Sequence, residues 1–374
     1  PLFSYANVPY RIRSFDALAR DPKNTVDFDD ALARLIDERV SARGADGRLL
    51  LDDNDAVYQV TLLEKLLVPV LAKLGNLVVD GGIWMNTQRP EWNDANNALV
   101  GHGLSMVTLY YLRRFLAFLD QLAAELPDQV MISSEVGSWL EDTCAALTAF
   151  RQRNGDRPAD DGDRWQLLRE LGEAAGRYRN QVYTRGFSGC SSLESDKIRA
   201  LVDVALTLLD TSIRSNRRDD GLYHAYNLLD LTDDAAKVEQ LYPMLEGQVA
   251  ALSAGVLDPE TVAGLVETLF ESTLFRADQH TFLLYPDRDV PGFLEKNRFS
   301  SADVDSIALV RAMLDNSDHR IIEPDPDGEL RFSPEMINAD ALKAALQGLD
   351  ADYGQTAADS ADALLSLYEN IFHH

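Results

Sequence analysis

Long stretches with apolar residues at i, i+3, i+4 and i+7 constrain this chain more than any other feature, because that spacing marks amphipathic helices. It predicts about eleven of them, at 27–42, 56–74, 94–126, 129–152, 163–183, 194–215, 234–254, 259–275, 301–315, 333–347 and 356–372. In the first, Phe28, Ala31, Leu32, Leu35, Ile36 and Val40 share one face. Pro69 predicts a kink inside the second. Asp258-Pro259-Glu260 and Ser301-Ala302-Asp303 read as N-terminal starts. Strand signals are few: 78–79 with 83–85, and 320–322 with 330–332 around the turn residues Pro324 to Gly328. Short and long connections alternate, and no short repeat recurs, which excludes a solenoid. The expectation is an all-α, closed toroid of helical hairpins, one barrel-like domain over 1–374, with its long loops gathered on one face to build a site. The chain opens on Pro1 rather than Met, so a portion of a longer polypeptide is also expected.

With 374 residues, 46% of them hydrophobic, the chain can bury a sizeable core. Its 35 basic and 61 acidic residues leave a formal net charge of −26. That charge argues against phosphate-backbone binding and against an anionic membrane surface, so no nucleic acid and no membrane partner is expected. The richest apolar run, 62–74, carries Glu64, Lys65, Pro69 and Lys73 and does not read as a membrane span. Two cysteines, Cys144 and Cys190, imply no disulfide framework, and a cytoplasmic location is the expectation. Neither a Gly-Lys-Ser/Thr phosphate loop nor a Gly-x-Gly-x-x-Gly turn occurs, and the histidines lack metal-ligand spacing. No cofactor and no metal are expected.

Four polar islands interrupt the helical pattern: 84–97, 180–189, 216–227 and 282–289. Each mixes aromatic, acidic and amide residues, a composition that suits a cleft for sugars better than a nucleotide pocket. The densest is Gln88-Arg89-Pro90-Glu91-Trp92-Asn93-Asp94-Ala95-Asn96-Asn97. A tryptophan face stacks on a pyranose ring, neighbouring amides and acids bind its hydroxyls, and a carboxylic acid can protonate a glycosidic oxygen. Trp84 and His102 read as core positions. Asp94 also suits the N-cap of the helix that follows.

The segment Glu91-Trp92-Asn93-Asp94, with Ala95-Asn96-Asn97 after it, resembles the Asp-Trp-Asn-Asp segment of the (α/α)6-barrel glycoside phosphorylases, the cellobiose and chitobiose phosphorylase family. The resemblance implies an (α/α)6 barrel. It implies Asp94 as the general acid and Trp92 as a sugar-subsite wall. Asp219-Asp220-Gly221-Leu222-Tyr223-His224 resembles a substrate loop of such barrels. The family's β-sandwich and its phosphate-binding motif have no counterpart legible in this sequence.

The expected activity is cleavage of the glycosidic bond of an oligosaccharide or glucan with inversion, by Asp94 and an activated water. Asp220, Glu246 and Asp287 are the candidate bases. Arg89, Glu91, Trp92, Asn93, Arg217, Tyr223 and His224 are the expected substrate contacts. Phosphorolysis, with Arg217 and Arg218 near the anion, and a non-catalytic sugar-binding toroid stay open as alternatives.

Overall fold

The computed structural model describes residues 2–86, 98–155, 157–287, 289 and 291–372. The chain divides into two compact units, Pro1–Asp287 and Arg288–His374.

In the first unit the elements run β1 (Leu2–Ser4), β2 (Tyr10–Ile12), α1 (Phe15–Arg20), β3 (Val26–Phe28), α2 (Asp30–Arg43), β4 (Gln59–Thr61) and α3 (Leu62–Leu74). Then come β5 (Leu77–Val78), β6 (Gly82–Trp84), β7 (Gly103–Ser105), α4 (Met106–Ala123), β8 (Gln129–Ser133), α5 (Ser134–Asn154), α6 (Asp161–Arg185), β9 (Cys190–Glu194) and α7 (Ser195–Ser215). The unit closes with β10 (Tyr226–Leu231), β11 (Ala236–Gln240), α8 (Leu245–Ser253), α9 (Pro259–Glu271), β12 (Phe275–Arg276) and β13 (Thr281–Phe282).

The all-α toroid is overturned. Among the described residues 55% are helix and 16% strand, and a five-stranded antiparallel sheet stands in the first unit. The order is β11-β10-β7-β6-β5, with Leu228 opposite Glu239, Tyr226 opposite Ser105, Ile83 opposite Ser105 and Leu77 opposite Ile83. Several expected helices lose their ends to strands, as at Val26–Phe28 and Gln59–Thr61. Residues 234–254 split because Ala236–Gln240 pairs with β10 and Pro243 precedes the shorter α8. Gly103–Ser105 joins the sheet, so the long helix starts at Met106, where Ser105 Oγ accepts from Thr108 N at 2.9 Å. Gln129–Ser133 alternates buried Val130 and Ile132 with exposed Met131 and pairs with β9.

The other helices follow the apolar spacing. Pro69 lies within α3, and the capping box of Asp160 and Asp163 starts α6. Leu67, Leu71 and Leu74 of α3, Leu109 and Leu116 of α4, and Leu201 and Leu209 of α7 have no exposed surface and share one core. Burial of each such leucine contributes about 1.5–3 kcal/mol relative to leaving it in water. The turn from β5 to β6 places Asp80 at φ 61° and Gly82 at φ 130°, and the latter conformation favours glycine. A polar spine holds this turn: Asn216 Nδ2 donates to Asp80 O at 2.8 Å and Asn227 Nδ2 to Gly81 O at 2.7 Å.

One buried carboxylate fastens the N-terminal strands to the helices. Glu64 on α3 has no exposed surface. It accepts from Tyr5 Oη at 2.9 Å, Ser133 N at 2.8 Å and Ser133 Oγ at 2.7 Å. Above it Phe187 is stacked between Tyr5 and Tyr58, with centroids at 5.6 and 4.9 Å. Nearby Glu135 accepts from Ser188 N at 3.0 Å and Ser188 Oγ at 2.6 Å. The polar island 180–189 is thus engaged in a packed latch, because Phe187 and Ser188 have partners inside the unit.

The second unit carries α10 (Phe293–Lys296), α11 (Ser301–Ser306), α12 (Ala308–Asp315), β14 (Ile322–Pro324), β15 (Leu330–Phe332), α13 (Ala339–Gly348), α14 (Asp350–Tyr353) and α15 (Gln355–Phe372). The expected hairpin forms, with Ile322 opposite Phe332. Phe332, Leu309, Leu342, Leu364 and Tyr368 belong to a core of its own. Among the described residues no helix is long and apolar enough to cross a membrane.

Candidate functional site

The segment singled out by sequence lies outside the described residues, and with it Arg89, Glu91, Trp92, Asn93 and Asp94. Its two flanks are described and lie together. Met85 N donates to Gly103 O at 2.9 Å, and Gly101 N donates to Met85 O at 2.6 Å. Trp84 is 3% exposed and its indole N–H donates to Gly101 O at 2.9 Å, so it is a core residue that fastens the flanks.

Met85 and Leu99, one from each flank, pack against a small cluster of Ala225, Tyr226 and Met244, joined by Tyr242 and Tyr285. From this cluster Tyr226 Oη donates to Glu246 Oε2 at 2.6 Å. Glu246 lies in the first turn of α8, where the unpaired N–H groups favour a carboxylate. The close approach of α8 requires Gly247, since a Cβ there would sit 2.9 Å from Ala225 N. The fold therefore brings Glu246 to the flanks of the acid-bearing segment across more than a hundred residues of chain.

The other sequence candidates lie on the connection from α7 to β10. Asp220 is gripped by Arg218, with Nε to Oδ1 at 3.1 Å and Nη2 to Oδ2 at 2.9 Å, and accepts from Leu222 N at 3.1 Å. Burial alone raises its carboxyl, but the Arg218 guanidinium and the Leu222 N–H outweigh that and hold it below the ordinary carboxylate value. Such a group is ionised and already paired. The Arg217 side chain is exposed, and its backbone bridges to Tyr223.

Tyr223 is 3% exposed, with its N–H donating to Gln248 Oε1 at 2.8 Å and its C=O accepting from Gln248 Nε2 at 2.7 Å. His224 is 2% exposed. Its Nδ1 lies 3.0 Å from Leu241 O, which can only accept, so Nδ1 carries the proton. Both side chains point into packed surroundings. Asp287 ends the first unit, and Asp219 is exposed beside Asp220.

Burial first, and then the nearby Arg218 charge, lower the His224 pKa from its ordinary 6.5. The folded protein holds this imidazole neutral, whereas the unfolded chain binds a proton near 6.5. Stability is therefore present above 6.5 and falls as pH drops below it, until the folded group also protonates. Melting followed by tryptophan fluorescence should show a steeper loss between about pH 7.5 and 5.5 for the parent than for His224→Gln. Equal slopes would mean that His224 is not the group responsible.

Sequence reasoning did not single out Tyr242 and Met244, which lie inside an expected helix. It also did not single out Asn76 and Asn86, which with Lys73 and Tyr111 line a cavity beside Trp84. The paired amides Asn76 and Asn86, on either side of the β5–β6 hairpin, were the available signal.

Glu246 is thus held by a buried tyrosine whose cluster packs against Met85 and Leu99, one on each flank of residues 87–97. Residues 290–374 match the family model of the GH149 phosphorylase insertion domain 2. The match relates the chain to glycoside phosphorylases in general, and it coincides with the second unit, which begins at Arg288. No curated protein matches the chain.

Proposed function

We propose that this chain acts in a glycoside phosphorylase, cleaving an oligosaccharide or glucan with inorganic phosphate and inversion at the anomeric carbon. The match of residues 290–374 is the single observation that carries this reading. Asp94 donates its proton to the glycosidic oxygen as the C1–O bond breaks. A phosphate oxygen attacks C1 from the opposite face, giving a sugar 1-phosphate and a shortened chain. Phosphate is anionic and needs no carboxylate to activate it, whereas water does. That removes the need for a partner base to Asp94.

In this reading Trp92 stacks on the sugar, and Arg89, Glu91 and Asn93 bind its hydroxyls. Glu246, fixed by Tyr226, orients a hydroxyl at the reacting ring. Arg217 supplies a positive charge for phosphate, while Arg218 is held by Asp220. Tyr223, His224 and Asp220 support the loop that carries Arg217. Incubation with a panel of gluco-oligosaccharides, with and without phosphate, tests the reading. Sugar 1-phosphate should form, and only with phosphate present. Free sugar released without phosphate would replace phosphorolysis by hydrolysis with Glu246 as base.

A further inference from the structure

The first unit holds a cavity of about 640 Å3 between α3, the β5–β6 hairpin and the first half of α4. That volume lies in the range of about 300–1,000 Å3 typical of small-molecule sites. Its polar groups are Lys73, Asn76, Asn86 and Tyr111, with Thr108 engaged by Ser105, and its apolar walls include Ile83 and Phe115. Asn86 Nδ2 donates to Asn76 Oδ1 at 2.6 Å, and Asn76 Nδ2 to Ala72 O at 2.9 Å, so the amide pair is held in place from α3. Tyr111 is 45% exposed and offers a ring face and a hydroxyl. Lys73 forms no ion pair with a carboxylate among the described residues.

The chemistry favours a neutral polyol over an anion. The start of α4 would be the natural anion site, but its donors are engaged. Met106 N and Val107 N reach Ala225 O at 2.9 and 3.2 Å, and Thr108 N reaches Ser105 Oγ at 2.9 Å. One ammonium group remains, among amides, a phenol and apolar walls. A pyranose ring matches that set: its flat C–H face lies on an aromatic ring, and its hydroxyls both donate and accept.

We propose that this cavity is a subsite for a glycosyl unit of the oligosaccharide away from the bond that breaks. The inference rests on the phosphorylase reading for the identity of the sugar chain. Its place follows from Asn86, which lines the cavity directly before the segment carrying Trp92 and Asp94. Binding energy gathered there holds the substrate in register at the reacting ring.

The test is calorimetric titration of the full chain with short and long gluco-oligosaccharides, and separately with inorganic phosphate. The variants are Tyr111→Ala and Lys73→Ala, both changed at surface-accessible side chains. Phe118→Ala is the control, an exposed aromatic on α4 that does not line the cavity. Tyr111→Ala should weaken the long oligosaccharide about tenfold, Lys73→Ala should weaken it as well, and Phe118→Ala should leave it unchanged. Normal sugar affinity in both cavity variants overturns the subsite, as does the absence of sugar binding. Loss of phosphate binding in Lys73→Ala with sugar binding intact overturns it in favour of an anion site. A parallel assay of phosphate-dependent turnover separates the two claims. Turnover with normal binding by the variants sinks the subsite alone. Tyr111-dependent binding without turnover sinks the phosphorylase reading alone.

Discussion

Asp94→Asn should lower turnover by about 10²–10⁴-fold while oligosaccharide affinity stays close to that of the parent chain. The amide keeps the shape and the hydrogen-bonding reach of the acid but has no proton to give the leaving oxygen. The loss should therefore fall on kcat rather than on KM. It should shrink for substrates whose leaving group is a good one, because an activated leaving oxygen departs without protonation. Glu246→Gln is the informative companion. A carboxylate that orients a hydroxyl costs less to neutralise than the acid itself, so its defect should be the smaller one. Equal and severe losses in both variants, together with phosphate-independent cleavage, would point to an acid and base pair acting on water. If Asp94→Asn loses sugar binding alone and keeps its turnover at saturation, the residue is a substrate contact and not the acid.

The largest expected effect on stability is at Glu64. This carboxylate has no exposed surface and accepts three hydrogen bonds, from Tyr5 Oη, Ser133 N and Ser133 Oγ. Glu64→Ala strands those donors in a site that water does not reach, and it opens a space beneath the Tyr5–Phe187–Tyr58 stack. Each buried donor left without its partner costs about 1–3 kcal/mol, so the loss over three of them should exceed that of any single one. Glu64→Gln keeps one acceptor oxygen and the volume, so it should lose about 1–3 kcal/mol. All four tryptophans, at 84, 92, 139 and 165, lie in the first unit, so their fluorescence during urea unfolding follows that unit alone. The midpoint should move down in the order parent, Glu64→Gln, Glu64→Ala. A midpoint for Glu64→Ala within error of the parent would show that the N-terminal strands are not held through this group.

Helices were legible in the sequence because a face that repeats every three to four residues over a dozen positions has one reading. α6 and α7 lie within two residues of their expected ends, and α15 within one at its start. Beyond the expected hairpin of β5 and β6, the central sheet was hidden for the opposite reason. Its strands are two to six residues long, and the pairing that joins its two halves spans far in sequence, as where Tyr226 pairs with Ser105. Two or three alternations cannot be told from the edge of a helix, so 103–105, 129–133 and 236–240 were absorbed into neighbouring helices. Ala236–Gln240 mixes residues that a helix also accepts, and only its pairing with β10 settles its state. The toroid expectation failed at that step, since the stretches taken for loops on one face include strands.

The site was legible in part. Polar and aromatic composition drew attention to 180–189 and 216–227, but it cannot distinguish a side chain offered to a ligand from one satisfied internally. Tyr223 and His224 have the residue types of a sugar pocket and bury them against Gln248 and Leu241. Glu246 is the reverse case. Inside an expected helix it had only Gly247 to recommend it, and the fold places it beside the flanks of 87–97 through Tyr226.

Phosphate dependence is the most direct test of the central claim. The full chain is incubated with a gluco-oligosaccharide, phosphate is added, and phosphorus NMR follows the conversion. Phosphorolysis with inversion predicts a sugar 1-phosphate resonance that grows only when phosphate and oligosaccharide are both present and is absent with Asp94→Asn. Reducing sugar accumulating at the same rate without phosphate, and no phosphorylated product with it, would contradict the account.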